Sequence, residues 1–162
     1  MPAHRAFTSI DTIIIHHSAT PNGETLTALD INELHKKCGY RRDPSILQYH
    51  AAQLRHIGYH FVIRVDGCVE ACRKAIEVGQ HADGHEATSL AVCVVGTDKF
   101  TDDQWLMLRK NVESLKRTYP SIKFVRGHND VADSTCPGFS VPEWLAGGMQ
   151  PLPAHVLPLA EE

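Results

Sequence analysis

Three β-branched apolar residues run into two imidazoles and a hydroxyl in Thr12-Ile13-Ile14-Ile15-His16-His17-Ser18. A short apolar run of this kind reads as a strand buried on both faces, and His16 falls at its C-terminal end, where open α/β sheets place their ligands. One strand end supplies one or two metal ligands, so the partners must come from farther along the chain. Arg126-Gly127-His128-Asn129-Asp130 and Thr135-Cys136-Pro137 contain them. Imidazole nitrogen and thiolate sulfur are ligands that zinc prefers. His16, His128 and Cys136 would leave a fourth tetrahedral position open to water, the arrangement of a catalytic zinc site.

The elements that must position these residues are readable from periodicity. Thr27 caps a helix whose apolar positions Ile31, Leu34 and Cys38 recur at helical spacing until Gly39, with His35 on it. Asp43-Pro44 reads as the start of a second helix carrying Ile46, Leu47, Leu54 and Ile57 and leaving at Gly58, with His50 and His56 solvated or rim residues and not ligands. Residues 59–65 and 68–72 form a hairpin about Asp66-Gly67. Residues 78–88 are a polar loop with His81, and 89–96 is a central strand covered on both faces. Thr101-Asp102-Asp103-Gln104 is a capping box for a helix with Trp105, Leu108, Val112, Leu115 and Tyr119, stopped by Pro120. Residues 122–126 form a short strand that delivers His128, and 142–145 a last short helix. This order predicts an α/β domain with a central mixed sheet flanked by helices and a zinc site at the strand ends. Its extent is 1–148, with 149–162 a Pro-rich, loosely ordered tail.

Composition narrows the function classes. At 162 residues, 43% hydrophobic and 22% charged, the chain suits one globular domain. A formal charge of −3 with no dense basic run argues against nucleic acid as partner, and Arg41-Arg42 reads as a solvated loop. No stretch approaches the ~20 apolar residues of a membrane span, and residues 1–11 lack a signal-peptide core, so the expected location on synthesis is the cytoplasm. Five cysteines, an odd number, suit reduced thiols better than a disulfide framework. Cys38, Cys68, Cys72 and Cys93 lie in apolar patterns and read as small buried hydrophobes.

With Ile15-His16-His17-Ser18-Ala19-Thr20, Gly58-Tyr59-His60-Phe61, Val78-Gly79-Gln80-His81-Ala82, and His128 followed by Cys136-Pro137-Gly138-Phe139, the sequence resembles the zinc-dependent N-acetylmuramoyl-L-alanine amidases. This family is related to the peptidoglycan recognition proteins, and the resemblance is strongest to its short phage endolysins. Four motifs in the family's order, with the same seven-residue gap between His128 and Cys136, carry it over residues 12–139.

The resemblance implies a fold like that of the peptidoglycan recognition proteins and hydrolysis of the amide between N-acetylmuramic acid and the L-alanine of the peptidoglycan stem. It implies that His16, His128 and Cys136 hold Zn2+, that Tyr59 stands beside the metal-bound water, and that His81 borders the substrate groove as a substrate contact. The chain is further expected to be a monomer that degrades cell wall after release from the cytoplasm. His17 is a neighbour, since successive strand residues face opposite ways, and by the same alternation His60 is a satisfied core histidine. Two departures stand out. Residues 41–57 are longer than the connection expected of the phage enzymes, and the position two before Cys136, where they usually carry a catalytic lysine, is Ser134, which joins Tyr59 as a catalytic candidate. Two other readings compete: a module that binds peptidoglycan without cutting it, and a metal-free thiol hydrolase with Cys136 as nucleophile and His128 as base.

Overall fold

The structure is a computed structural model that describes residues 4–47 and 49–158. Strands β1 (Thr12–His17), β2 (Phe61–Ile63), β3 (Val69–Ala71), β4 (Ser89–Val94) and β5 (Phe124–Gly127) form one sheet in the order β3-β2-β4-β1-β5. β1 pairs in parallel with β4 and β5; β2 is parallel to β4 and antiparallel to β3. The sheet is therefore mixed, and helices α1 (Ala28–Lys37), α2 (Pro44–Leu47), α3 (Asp102–Thr118), α4 (His128–Val131) and α5 (Val141–Ala146) accompany it.

Strand alternation sorts the two faces. Ile13, Ile15, Leu90, Val92 and Val94 pack with Trp105, Leu108, Val112 and Leu115 of α3 and with Trp144 of α5. The opposite face holds Ala91, Cys93, Val62 and Tyr59 against Ala28 and Ile31 of α1 and Leu54 and Ile57 of the following loop. His16 lies beside Cys93 in the register and so belongs to this smaller face. The central strand is as expected, every residue of β4 being buried. Helix α3 begins at its Thr101 cap, whose hydroxyl accepts the Gln104 N–H.

Other expectations need correction. The second helix is one turn, because the loop after it closes around Arg42, which is 1% exposed and no part of a solvated loop. Its guanidinium donates to both Glu77 carboxylate oxygens at 2.9 Å and to the carbonyls of His50, Ala51 and Leu54. Those carbonyls turn inward to a cation, and among the described residues only that of Ala51 also accepts a turn bond, from Leu54 N–H at 2.9 Å. The hairpin closes through three residues, 65–67: Arg64 N–H donates to the Cys68 carbonyl and Gly67 takes φ +85°. On α1 the buried stripe is Ala28, Ile31, Asn32 and His35, with Leu34 and Cys38 turned outward. Cys68 is exposed as well, while Cys72 and Cys93 are buried as expected.

The described part of the Pro-rich segment is more firmly held than a loose tail. The His155 carbonyl accepts from Phe100 N–H at 2.8 Å and from Trp105 Nε1 at 3.1 Å, and Leu157 N–H donates to the Phe100 carbonyl. Residues 159–162 lie outside the described residues.

Candidate metal centre and active site

Three segments far apart in sequence meet at the C-terminal edge of the sheet. β1 ends in His16 and His17, and β5 runs directly into α4, whose first residue is His128. The turn between them is held by the Asp130 carboxylate, which accepts the Gly127 N–H at 2.7 Å. The cysteine loop folds back on α4, Asn129 N–H donating to the Cys136 carbonyl at 2.7 Å. It also packs against the loop after β4. Gly138, at φ +88°, lies so close to the Thr97 carbonyl that a Cβ there would stand 2.1 Å from its oxygen.

One ligand atom each from His16, His128 and Cys136 falls within 4.8 Å of the others. Zn–N bonds of ~2.0–2.1 Å and a Zn–S bond of ~2.3 Å at a tetrahedral angle separate nitrogen and sulfur by about 3.6 Å. His16 Nδ1 stands 3.7 Å from Cys136 Sγ. The donor set, its spacing and the partly exposed side of His128 thus fit a three-ligand zinc site with an open position.

Electrostatics favour ligand forms for the imidazoles. Burial, then the neighbouring His81, His128 and His17, hold His16 well below the usual imidazole range. Burial and His17 lower His128 in the same direction. Without a cation, burial pushes the Cys136 thiol up to about 11, opposed by the His17 N–H. A lone thiolate is therefore disfavoured here, which argues against the metal-free thiol hydrolase.

Tyr59 is 9% exposed, its ring centroid 5.2 Å from that of His16 and 4.8 Å from that of His35. Burial raises its hydroxyl well above 10, so it remains a proton donor at neutral pH. The segment before it is held by the polar residues of α1. Asn32 accepts the N–H groups of His56 and Ile57, and His35 Nδ1 accepts that of Gly58 at 2.8 Å. Sequence reasoning missed this support. The available signal was the spacing 28, 31, 32, 35, a helical stripe that appears only when Asn32 and His35 are counted with the apolar residues.

His17 turns away from the cluster, its Nδ1 2.5 Å from the Thr97 carbonyl oxygen. His60 is fully buried, with Nδ1 accepting Ala91 N–H at 3.0 Å and Nε2 therefore donating to the Glu77 carbonyl at 2.7 Å. His81 lies behind His16 instead of along an open groove: it is 7% exposed and its Nδ1 is 2.9 Å from His16 Nε2. Ser134 is half-buried, and its Oγ accepts the Cys136 N–H at 3.1 Å.

The sequence model of the N-acetylmuramoyl-L-alanine amidase family matches residues 6–139. The endolysin of Escherichia phage T7 is 34% identical over 144 residues, 84% of this chain and 85% of that protein. That of Enterobacteria phage K11 is 33% identical over 142 residues, 83% and 84% of the two chains. Among solved structures, the N-acetylmuramoyl-L-alanine amidase LysC from Clostridium intestinale superposes with a TM-score of 0.70 at 27% identity, covering 88% of this chain and 87% of that one. Drosophila PGRP-LB, at 21% identity and a TM-score of 0.61 over 91% of this chain and 85% of that one, shares the fold.

Proposed function

This chain belongs to the N-acetylmuramoyl-L-alanine amidase family and is a peptidoglycan amidase, and from that membership we propose that it works as a zinc enzyme whose metal is held by His16, His128 and Cys136. The observation that carries the proposal is the mutual approach of those three ligand atoms to within 4.8 Å at the end of the sheet. Bound there, zinc supplies Lewis-acid polarisation of the scissile carbonyl and a nucleophile at neutral pH.

The remaining work falls to the chain's own groups. His17 N–H donates to Cys136 Sγ at 3.2 Å, which steadies the thiolate form a cation requires. Tyr59, kept protonated by burial, is placed beside His16 to donate to the oxygen that gains charge as the amide carbonyl is attacked. The Tyr59 hydroxyl lies 3.4 Å from the His17 carbonyl oxygen, a weak contact that leaves it free to turn toward substrate. Ser134 Oγ accepts the Cys136 N–H. Its role in this reading is to shape the cysteine loop.

No helix among the described residues is long and apolar enough to cross a membrane. We propose a monomer that acts on the cell wall after release from the cytoplasm, a setting consistent with the name endolysin that its phage relatives carry. Digestion of purified peptidoglycan tests the reaction: stem peptides with a free alanine amine are the expected products, measured by mass spectrometry. New reducing sugar ends without those peptides would show a glycosidase instead.

A further inference from the structure

We propose that His81 is a positioning residue for the metal: its Nδ1 accepts a hydrogen bond from His16 Nε2–H and so holds the bare Nδ1 of His16 toward Cys136. The inference rests on the zinc reading above and is carried by a chain of hydrogen bonds whose direction can be worked out from one end.

The chain begins at a group with no choice. The His85 carbonyl can only accept, so the Ser89 hydroxyl, 2.7 Å away, donates its single proton to it. Toward His81 Nε2, at 3.3 Å, Ser89 Oγ is then an acceptor, and that nitrogen carries the proton. Neither ring nitrogen of His81 meets a carboxylate, and a buried imidazole so placed is neutral, so its other nitrogen, Nδ1, is bare. It faces His16 Nε2 at 2.9 Å, and His16 must donate. His16 Nδ1 is left with its lone pair 3.7 Å from the Cys136 sulfur. Metal-binding histidines usually donate their second N–H to an oxygen acceptor; here the acceptor is another imidazole.

The surroundings fix His81 for this task. Its backbone N–H donates to Glu86 Oε1 at 2.9 Å, and its ring stands nearly perpendicular to that of His16, at 85°. Gly79 leaves the room: a Cβ there would lie 2.8 Å from His81 Cδ2 and 2.9 Å from His60 Cε1. None of these features would be needed by a residue that contacts substrate in an open groove.

The test has two arms on the full chain. In the zinc-loaded, 15N-labelled protein, NMR should find a proton on His16 Nε2 and a nitrogen–nitrogen coupling across the hydrogen bond to His81 Nδ1. Metal on His16 Nε2, or a proton on His81 Nδ1, would overturn the proposal without any variant. In chelator competition, His81→Leu should weaken zinc binding roughly 10–100-fold, and His81→Asn, which places an acceptor oxygen near the position of Nδ1, should recover most of that loss. Unchanged zinc affinity in His81→Leu would overturn this inference alone. A wild-type chain that binds no zinc would overturn the metal reading and this with it.

Discussion

The backbone N–H of His17 donates to the sulfur of Cys136 at 3.2 Å across 119 positions of sequence. This bond ties the end of β1 to the cysteine loop, so the sulfur is held by the same strand that presents His16. Metal affinity should therefore depend on all three ligands together. His16→Ala, His128→Ala and Cys136→Ala should each lose stoichiometric zinc and peptidoglycan hydrolysis, read by elemental analysis and turnover. Full zinc occupancy in His16→Ala, or undiminished turnover after chelation, would sink the ligand assignment.

Tyr59 contributes a hydroxyl and an aromatic ring, and phenylalanine keeps the ring. Tyr59→Phe should retain zinc and thermal stability while turnover falls on the order of 10²–10³-fold, the cost of one oxyanion-type donor. Near wild-type turnover would make Tyr59 a packing residue between His16 and His35.

Ser134 separates shaping the loop from stabilising charge. Its Oγ accepts the Cys136 N–H, so Ser134→Ala removes one neutral hydrogen bond at a half-buried site, about 1 kcal/mol. Turnover should fall less than about tenfold. Ser134→Lys should match or exceed the parent, since an ammonium makes charge-assisted bonds roughly twice as strong as neutral ones. A loss of several hundredfold in Ser134→Ala with zinc retained would show the hydroxyl to be a principal catalytic group.

Arg42 holds residues 50–54 through three carbonyls and is itself paired with Glu77, both side chains being at most 1% exposed. Arg42→Ala removes the nearer partner of the buried Glu77 carboxylate, leaving it only Arg73 at 3.5 Å, and takes a donor from those carbonyls, and should cost about 3 kcal/mol in denaturant unfolding. A change under about 1 kcal/mol would show that water replaces the guanidinium.

Acid should weaken the fold before the carboxylates titrate. Burial depresses His60 to about 3, and burial with Arg73 depresses His35 to about 4, both from 6.5. The unfolded chain takes up these protons first, so the two contribute full stability above pH 6.5 and lose it progressively from there until pH has fallen through about 4 for His35 and about 3 for His60. Each proton changes stability by about 1.4 kcal/mol per pH unit inside that window. Urea midpoints of the zinc-free chain, measured with chelator present, should begin to fall just below pH 6.5. A midpoint that stays level down to pH 5 would contradict the burial of neutral histidines.

What the sequence determined by itself was local or pairwise. The apolar run before His16, the unbroken apolar β4 and the Thr101 capping box each specify an element from neighbouring residues alone, and all three stand as expected. The ligand candidates were legible because zinc chemistry restricts donor types and His16, His128 and Cys136 lie at or just past strand ends.

Tertiary structure decided the rest through polar groups buried against partners remote in sequence. Arg42 looked solvated because nothing nearby announces Glu77, yet that pair and three inward carbonyls turn an expected helix into a loop. Asn32 carries no expectation from the sequence, which places His35 only on its helix; the fold buries both, their acceptors meeting the N–H groups of residues 56–58. His81, expected at the groove, sits behind His16 because its two ring nitrogens find partners 65 positions back and 8 positions ahead. A periodicity argument counts a buried polar side chain as exposed, since only its hydrogen-bond partner, supplied by the fold, offsets the cost of removing it from water.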